Sequence, residues 1–254
     1  MGDLAGRTVL VTGASKGIGA ATAAALGVAG ARVVAHYGAD EAGARAATAA
    51  IPPDRRLLVC EDLADPEGPA RLWERAVAWA GRVDVLVNNA AVLLETPLDA
   101  ATEDWSAGWD RTLQVNVRAP ADLMRAAVGH FREAGGGVLI TLSSWVAQRG
   151  SSNPHLGAYA ASKGAVKALT QTLARAHARE GVLAYIVAPG VVATQMSLDA
   201  AGAQGGTDAV SATLAMGEWV PPHELADLVT FLASGRARHL TGATLDVNGA
   251  SYVR

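Results

Sequence analysis

Short β-branched runs alternate with longer alanine-rich stretches along this chain. RTVLVTG (7–13), ARVVAHY (31–37), RRLLVCED (55–62), RVDVLVNNA (82–90), GGVLITLSS (136–144), GVLAYIVAPG (181–190) and GATLDVNG (242–249) carry apolar residues at successive positions rather than at alternate ones. A run that is apolar on both faces suits a strand covered by helices on both sides. Between these runs lie helix-like stretches near 17–30, 40–50, 66–81, 108–134, 157–180 and 222–234. Such alternation predicts an α/β fold: a doubly wound, seven-stranded parallel sheet with helices on both faces, in one domain spanning 1–254. Segment 194–220, polar and glycine-rich at AAGAQGGTD, reads as a long mobile excursion and a candidate substrate lid.

Composition narrows the class. Half of the 254 residues are hydrophobic, enough for one substantial core. Charged residues make up 18%, with a net charge of −3 and both signs scattered, so no basic patch invites nucleic acid. The single cysteine, Cys60, has no internal disulfide partner and reads as a core or strand-end residue. The six histidines are dispersed, and no Cys/His spacing resembles a metal site. No stretch approaches the ~20 apolar residues of a membrane span. The first apolar run is too short for a signal peptide, and Gly6 stands where a myristoylation signal needs Ser or Thr. The expectation is a soluble cytoplasmic protein with no membrane, nucleic-acid or metal partner.

Two stretches suggest chemistry. The first strand runs directly into TGASKGIG, with Gly13, Gly17 and Gly19, and then into a helix. Glycines at such a turn let the backbone approach a pyrophosphate, and the helix N-terminus offers free N–H groups. No Gly-Lys-Ser/Thr follows, so the turn is not a P-loop. Later, GAYAASKGAVKALTQTLARAHARE places Tyr159 and Lys163 one helical turn apart among small residues. A tyrosine hydroxyl is a poor base at neutral pH, and a neighbouring cation would lower its pKa of about 10.

Thr12-Gly13-x-x-x-Gly17-x-Gly19, Asn88-Asn89-Ala90, Ser144, Tyr159-x-x-x-Lys163 and Pro189-Gly190 stand in the order and spacing of the short-chain dehydrogenase/reductase family. The chain resembles that family over essentially its whole length. Within it, TGATLDVNGASYVR is most similar to the 3-oxoacyl-[acyl-carrier-protein] reductase branch. The resemblance implies a Rossmann-type fold and NAD(P)(H)-dependent interconversion of a carbonyl and a secondary alcohol. The substrate would be a 3-oxoacyl thioester or, alternatively, a sugar, polyol or other secondary alcohol. A dinucleotide-sensing scaffold without turnover is the competing class, disfavoured by the intact Ser144, Tyr159 and Lys163.

By the same resemblance, Tyr159 and Lys163 are the catalytic pair, and Ser144 rather than Ser143 bonds the substrate oxygen. Asn116 would hold a water in a proton relay ending at Lys163. The cofactor set implied is Gly13, Ser15, Lys16, Gly17, Ile18, Gly19, His36, Tyr37, Asp62, Leu63, Asn88, Ala90, Tyr159, Lys163, Pro189, Gly190, Val192 and Thr194. Ala91 replaces the more common glycine of the Asn-Asn-Ala-Gly motif. Strand two ends in Tyr37, where NAD enzymes place Asp or Glu, and Asp40 and Glu41 come too late in sequence. Lys16 and His36 could offer positive charge or donors to a 2′-phosphate. NADP(H) is therefore expected over NAD(H). Around the substrate, Trp145, Met196 and Trp219 suit an acyl chain, while Gln148, Asn153, His155 and Gln195 suit hydroxyls. A stripe on 157–180 (Ala161, Ala165, Ala168, Leu169, Thr172, Leu173 and Ala176, with Ala174 and Ala178 alongside) predicts a homotetramer. The apolar C-terminal segment DVNGASYV would supply its second interface.

Overall fold

A computed structural model describes residues 3–202 and 205–254. Seven parallel strands form one sheet in the order β3-β2-β1-β4-β5-β6-β7. They are β1 (Thr8–Val11), β2 (Arg32–Tyr37), β3 (Arg56–Cys60), β4 (Val85–Asn88), β5 (Gly137–Leu142), β6 (Val182–Pro189) and β7 (Thr244–Val247). The doubly wound α/β expectation holds. The order reverses between β1 and β4, which opens a crevice beyond their carboxyl ends, the usual ligand position in such sheets.

Strand pleating sorts the core into two layers. Val9, Val11, Val33, Ala35, Val85 and Val87 face one cluster with Leu26, Leu225, Val229 and Leu232. Leu10, Val34, Leu86 and Leu139 face the other, with Leu72, Leu123, Met124 and Phe131. The first layer is covered by α1 (Gly17–Val28) and α10 (Pro222–Ala233); the second by α3 (Gly68–Ala80), α5 (Ala119–Glu133) and α7 (Gly157–His177). Continuous apolar runs were needed because successive residues supply opposite layers.

The remaining helices are α2 (Glu41–Ala47), α4 (Thr102–Leu113), α6 (Val146–Arg149), α8 (Gln195–Gly202) and α9 (Thr207–Ala212). Four of these, α4, α6, α8 and α9, differ from the sequence expectation. The helix expected at 108–134 starts earlier, at Thr102, and is divided by a π-helical turn, Gln114–Arg118, before α5. Its first turn carries Glu103 and Asp104, which favour the helix N-terminus, but its weak apolar pattern hid it. α6 is a single turn, below the length at which periodicity is readable. Segment 194–220 is not a plain loop, for it holds α8 and α9, with residues 203–204 between them lying outside the described residues. Cys60 sits exposed at the end of β3, its thiol donating to the Gly38 carbonyl at 3.0 Å.

Candidate active site

The ends of β1 and β4 are tied together by one hydroxyl. Thr12 Oγ1 accepts the N–H groups of Asn89 and Ala90, both at 3.0 Å, and donates to the Val87 carbonyl at 3.3 Å. Asn89 Nδ2 in turn donates to the carbonyls of Thr12 and Gly13, at 2.8 and 3.1 Å. The turn that follows depends on glycine. Gly13 and Gly17 have φ of +68° and +55°, and a Cβ on Gly19 would lie 2.0 Å from the Gly13 oxygen. α1 begins without a side-chain cap and without an acidic residue in its first turn. Its leading N–H groups are therefore available to an anion. This donor set fits a dinucleotide pyrophosphate.

A cavity of about 430 Å³ runs from this turn to the end of β5. Of the expected cofactor residues, it is lined by Gly13, Ser15, Lys16, Gly17, Ile18, His36, Asp62, Leu63, Ala90, Tyr159, Lys163, Pro189, Gly190, Val192 and Thr194. Gly19, Tyr37 and Asn88 lie outside the lining. Gly19 acts through its contact with Gly13, while Tyr37 and Asn88 are buried, at 8% and 4% exposure. Asn89 takes the place expected of Asn88. Asp40, expected too far along the chain, does reach the lining together with Gly38 and Ala39, while its carboxylate caps α2 by accepting the Gly43 N–H at 2.8 Å. Glu61 also lines the cavity, with its carboxylate paired to Arg71 and Arg75. Arg111 of α4 also lines the cavity and was not among the expected site residues, although it lay within the expected helix.

His36 does not offer a free positive charge. Its Nδ1 accepts the Gly13 N–H at 3.1 Å, which leaves Nε2 to carry the proton toward the Glu61 carbonyl, 3.0 Å away. Burial lowers its pKa from 6.5, outweighing the pull of Glu61 and Asp62. The ring is neutral, and both nitrogens are engaged.

At the other end of the cavity, Lys163 and Tyr159 share one face of α7, with Lys163 Nζ 5.7 Å from the centre of the Tyr159 ring. Lys163 is 4% exposed and donates to the Leu142 carbonyl at 2.8 Å. Burial alone brings its pKa down from 10.5 to about 8. Tyr159 departs from expectation. Burial pushes its hydroxyl up to about 12, and Ser144 acts in the opposite direction without overcoming it. The ordering cation is near, but desolvation of the phenolate dominates. Ser143 and Ser144 both line the cavity, but the Ser143 hydroxyl is committed to the Lys163 carbonyl at 2.9 Å and anchors α7.

Asn116 lies in the π-helical turn with its side chain fully engaged. Oδ1 accepts the Val92 N–H at 2.8 Å, while Nδ2 donates to the Val92 carbonyl at 2.9 Å and to Ser162 Oγ at 3.1 Å. It braces the wall at Val92 against α7, next to Lys163. Of the substrate candidates, Met196 and Gln195 line the cavity; Trp145, Trp219, His155, Gln148 and Asn153 do not. Trp145 stacks on Arg149, Trp219 donates to Ser211, His155 faces Glu95, and Gln148 donates to Asp246. Among the described residues, no cluster of three or more His, Cys, Asp or Glu could hold a metal ion, and no helix is long and apolar enough to cross a membrane.

A phosphate-cradling turn and a Ser-Tyr-Lys group on one cavity define a nucleotide-dependent oxidoreductase. Comparisons with known proteins agree. Residues 13–250 match the family model described as Enoyl-(Acyl carrier protein) reductase. The chain is 36% identical to 3beta-hydroxysteroid dehydrogenase 1 of Eggerthella lenta, over 97% of this chain and 94% of that protein. It is 33% identical to L-rhamnose 1-dehydrogenase (NAD(P)(+)) of a Sphingomonas species, over 98% of each. A crystal structure of a dehydrogenase/reductase from Sinorhizobium meliloti superposes with a TM-score of 0.86 at 33% identity, covering 98% of this chain and 96% of that one. The chain belongs to the short-chain dehydrogenase/reductase family.

Proposed function

We propose that this protein interconverts a carbonyl compound and a secondary alcohol, with NADP(H) preferred over NAD(H). The observation that carries this reading is the placement of Ser144, Tyr159 and Lys163 on the same cavity as the glycine turn. When bound, the nicotinamide dinucleotide gives or takes a hydride. The amides of Gly17 and Ile18, with Lys16, hold its phosphates, and Pro189, Gly190 and Thr194 form the wall at the reacting end. Ser144 donates to the substrate oxygen, where negative charge grows during reduction. Tyr159 supplies the proton to that oxygen, or removes it in the reverse direction. Lys163 holds positive charge beneath the phenol and steadies the tyrosinate. Asn116 keeps α7 and the Val92 wall in register.

A 3-oxoacyl thioester is the first substrate class to test, and Met196 on the lining suits it. Gln195 and Ser197 also line the cavity and favour a second reading, a sugar or polyol. A panel of ketones, aldehydes, acyl thioesters and sugars, followed by NADPH and NADH absorbance, separates them. No change in either cofactor, neither oxidation of NAD(P)H nor reduction of NAD(P)+, with any member would overturn the catalytic reading in favour of a sensing scaffold. α8 and α9 are the proposed substrate lid, and with its lone thiol the chain is assigned to the reducing cytoplasm.

Cofactor preference rests on Lys16, exposed on the glycine turn, with no ion-pair partner among the described residues. Asp40 and Glu61 are occupied by the α2 cap and by Arg71 and Arg75, which limits their repulsion of a 2′-phosphate. A charge-assisted hydrogen bond contributes about 1.5 kcal/mol at the low end, roughly tenfold in affinity. Lys16→Ala is expected to weaken NADPH binding about tenfold and NADH binding much less. Equal losses for both would remove Lys16 from the 2′-phosphate.

A homotetramer is the proposed assembly. Ala161, Ala165, Ala168, Thr172 and Ala176 form an exposed small-residue stripe along α7, although Ala174 is buried in the second core layer rather than presented to a partner. Phe231, Leu240 and Val253 are exposed near the chain end, where a second interface would form. Light scattering at micromolar concentration should give about four times the 25.9 kDa chain mass. A monomer mass would sink both interfaces.

A further inference from the structure

We infer that His36 is a positioning residue for the dinucleotide turn: as a neutral imidazole protonated on Nε2 it fixes the Gly13 amide, and gaining a second proton releases that hold. The inference rests on the dinucleotide reading of the cavity, but it concerns contacts the chain makes within itself. His36 sits near the end of β2, paired with Val59 of β3, and is 2% exposed. It holds two consecutive amides of the turn: Gly13 N–H through Nδ1 at 3.1 Å, and Ala14 N–H through its own carbonyl at 2.7 Å. On its far side, Nε2 lies 3.0 Å from the Glu61 carbonyl, so the ring spans from the turn after β1 to the end of β3.

Gly13 transmits this hold. Its carbonyl accepts from Asn89 Nδ2 at 3.1 Å and sits against Gly19 in the first turn of α1. Its N–H and C=O are therefore both fixed, and any shift of Gly13 pushes on the amides that face the phosphates. An imidazolium has no acceptor. A proton on Nδ1 would point at the Gly13 N–H, donor against donor, and the turn would have to move.

The charged groups facing the ring are Glu61 and Asp62 beyond β3, both of which favour its protonation. Lys16 on the turn and Asp40 at the start of α2 line the same cavity, and Arg71 and Arg75 of α3 answer Glu61. Burial nonetheless wins and keeps the ring's pKa below 6.5. The sign follows from linkage. With the folded value depressed, the unfolded chain takes up this proton first as pH falls below 6.5, so stability is lost there; above 6.5 the contribution is fully present.

The test uses NADH, which lacks a 2′-phosphate that would titrate in the same range. Binding by fluorescence is measured from pH 7.5 to 5.5 for the wild type and for His36→Asn, whose side-chain oxygen can still accept from Gly13 but cannot titrate. Because the ring's pKa lies below 6.5, the wild type is expected to lose affinity severalfold, by less than tenfold, over this range while His36→Asn stays flat. Parallel profiles for the two would overturn the inference. Nitrogen NMR of the histidines in the cofactor-free wild type is the second readout, independent of any variant's folding. It should show His36 as the Nε2–H tautomer at pH 7.5, and a charged ring or the Nδ1–H tautomer would refute the proposal. If neither dinucleotide bound at any pH, the cofactor reading would fall, and the NMR result would still decide the role of His36 toward Gly13.

Discussion

Tyr159→Phe is expected to fold, to bind cofactor as tightly as the wild type, and to lose turnover by about a hundred- to ten-thousand-fold. The change removes one oxygen from a ring that keeps its place on α7, so packing is preserved. It also removes the hydroxyl proposed as the proton donor, beside Ser144 on the cavity wall. With its pKa pushed up to about 12, the phenol stays protonated through the neutral range and is ready to act as the acid in reduction. In the direction of alcohol oxidation the same burial is a handicap, and Lys163 is the group that can offset it. The measurement is kcat on a substrate found by the panel, with cofactor Kd as the control. Wild-type kcat in the variant would remove Tyr159 from the chemistry.

Lys163→Met is expected to abolish activity and to make the protein more stable at pH 7. A lysine held at about 8 instead of 10.5 carries its charge at neutral pH against the cost of burial. At about 1.4 kcal/mol per pH unit, that cost is on the order of 3 kcal/mol. Methionine has similar length and no charge. Leaving the Leu142 carbonyl without its donor takes back about 1 kcal/mol. The net gain of about 2 kcal/mol should raise Tm by roughly 4–8 °C in a chain of this size. Between pH 8 and 10.5 the unfolded wild type binds more protons than the folded form, so wild-type stability rises there and the variant's advantage shrinks. Calorimetry at pH 7 and pH 10 checks both signs, and a lower Tm for Lys163→Met at pH 7 would refute the argument.

The parts of this structure that repeat at short range were readable from the chain. Each strand revealed itself by consecutive apolar residues, because the two core layers take alternate side chains from it. The glycine turn and the Tyr159–Lys163 pair were also readable, since both depend on spacing within a few residues. What escaped depended on how side chains pack in the folded protein rather than on spacing along the chain. The neutral state of His36 follows from Gly13 and Glu61, 23 and 25 positions away. Asp40 reaches the cavity with Gly38 and Ala39 of the turn after β2, which sequence distance alone could not indicate. Tyr159 was expected to be acidified by its lysine neighbour, but the competing effect, burial, is a property of the packed protein. Trp145 and Trp219 looked like pocket residues by size, yet neither lines the cavity: Trp145 packs behind Gly190 with Arg149 over its ring, and Trp219 donates to Ser211.

The π-helical turn at Gln114–Arg118 can be regarded as one residue more than a regular helix would use. Each residue of an α-helix advances the chain by about 100° around the axis. Removing one residue here would join α4 and α5 into one smooth rod and swing one of them by that angle relative to the other. Val115 and Asn116 would then face different neighbours, and the Val92 wall would lose its brace to Ser162. A deletion in this turn would thus improve the helix as a helix while misaligning Lys163 from a distance. The irregularity is a length setting: it lets the helical run cover the sheet with α5 and brace Val92 and Ser162 with the residues just before it.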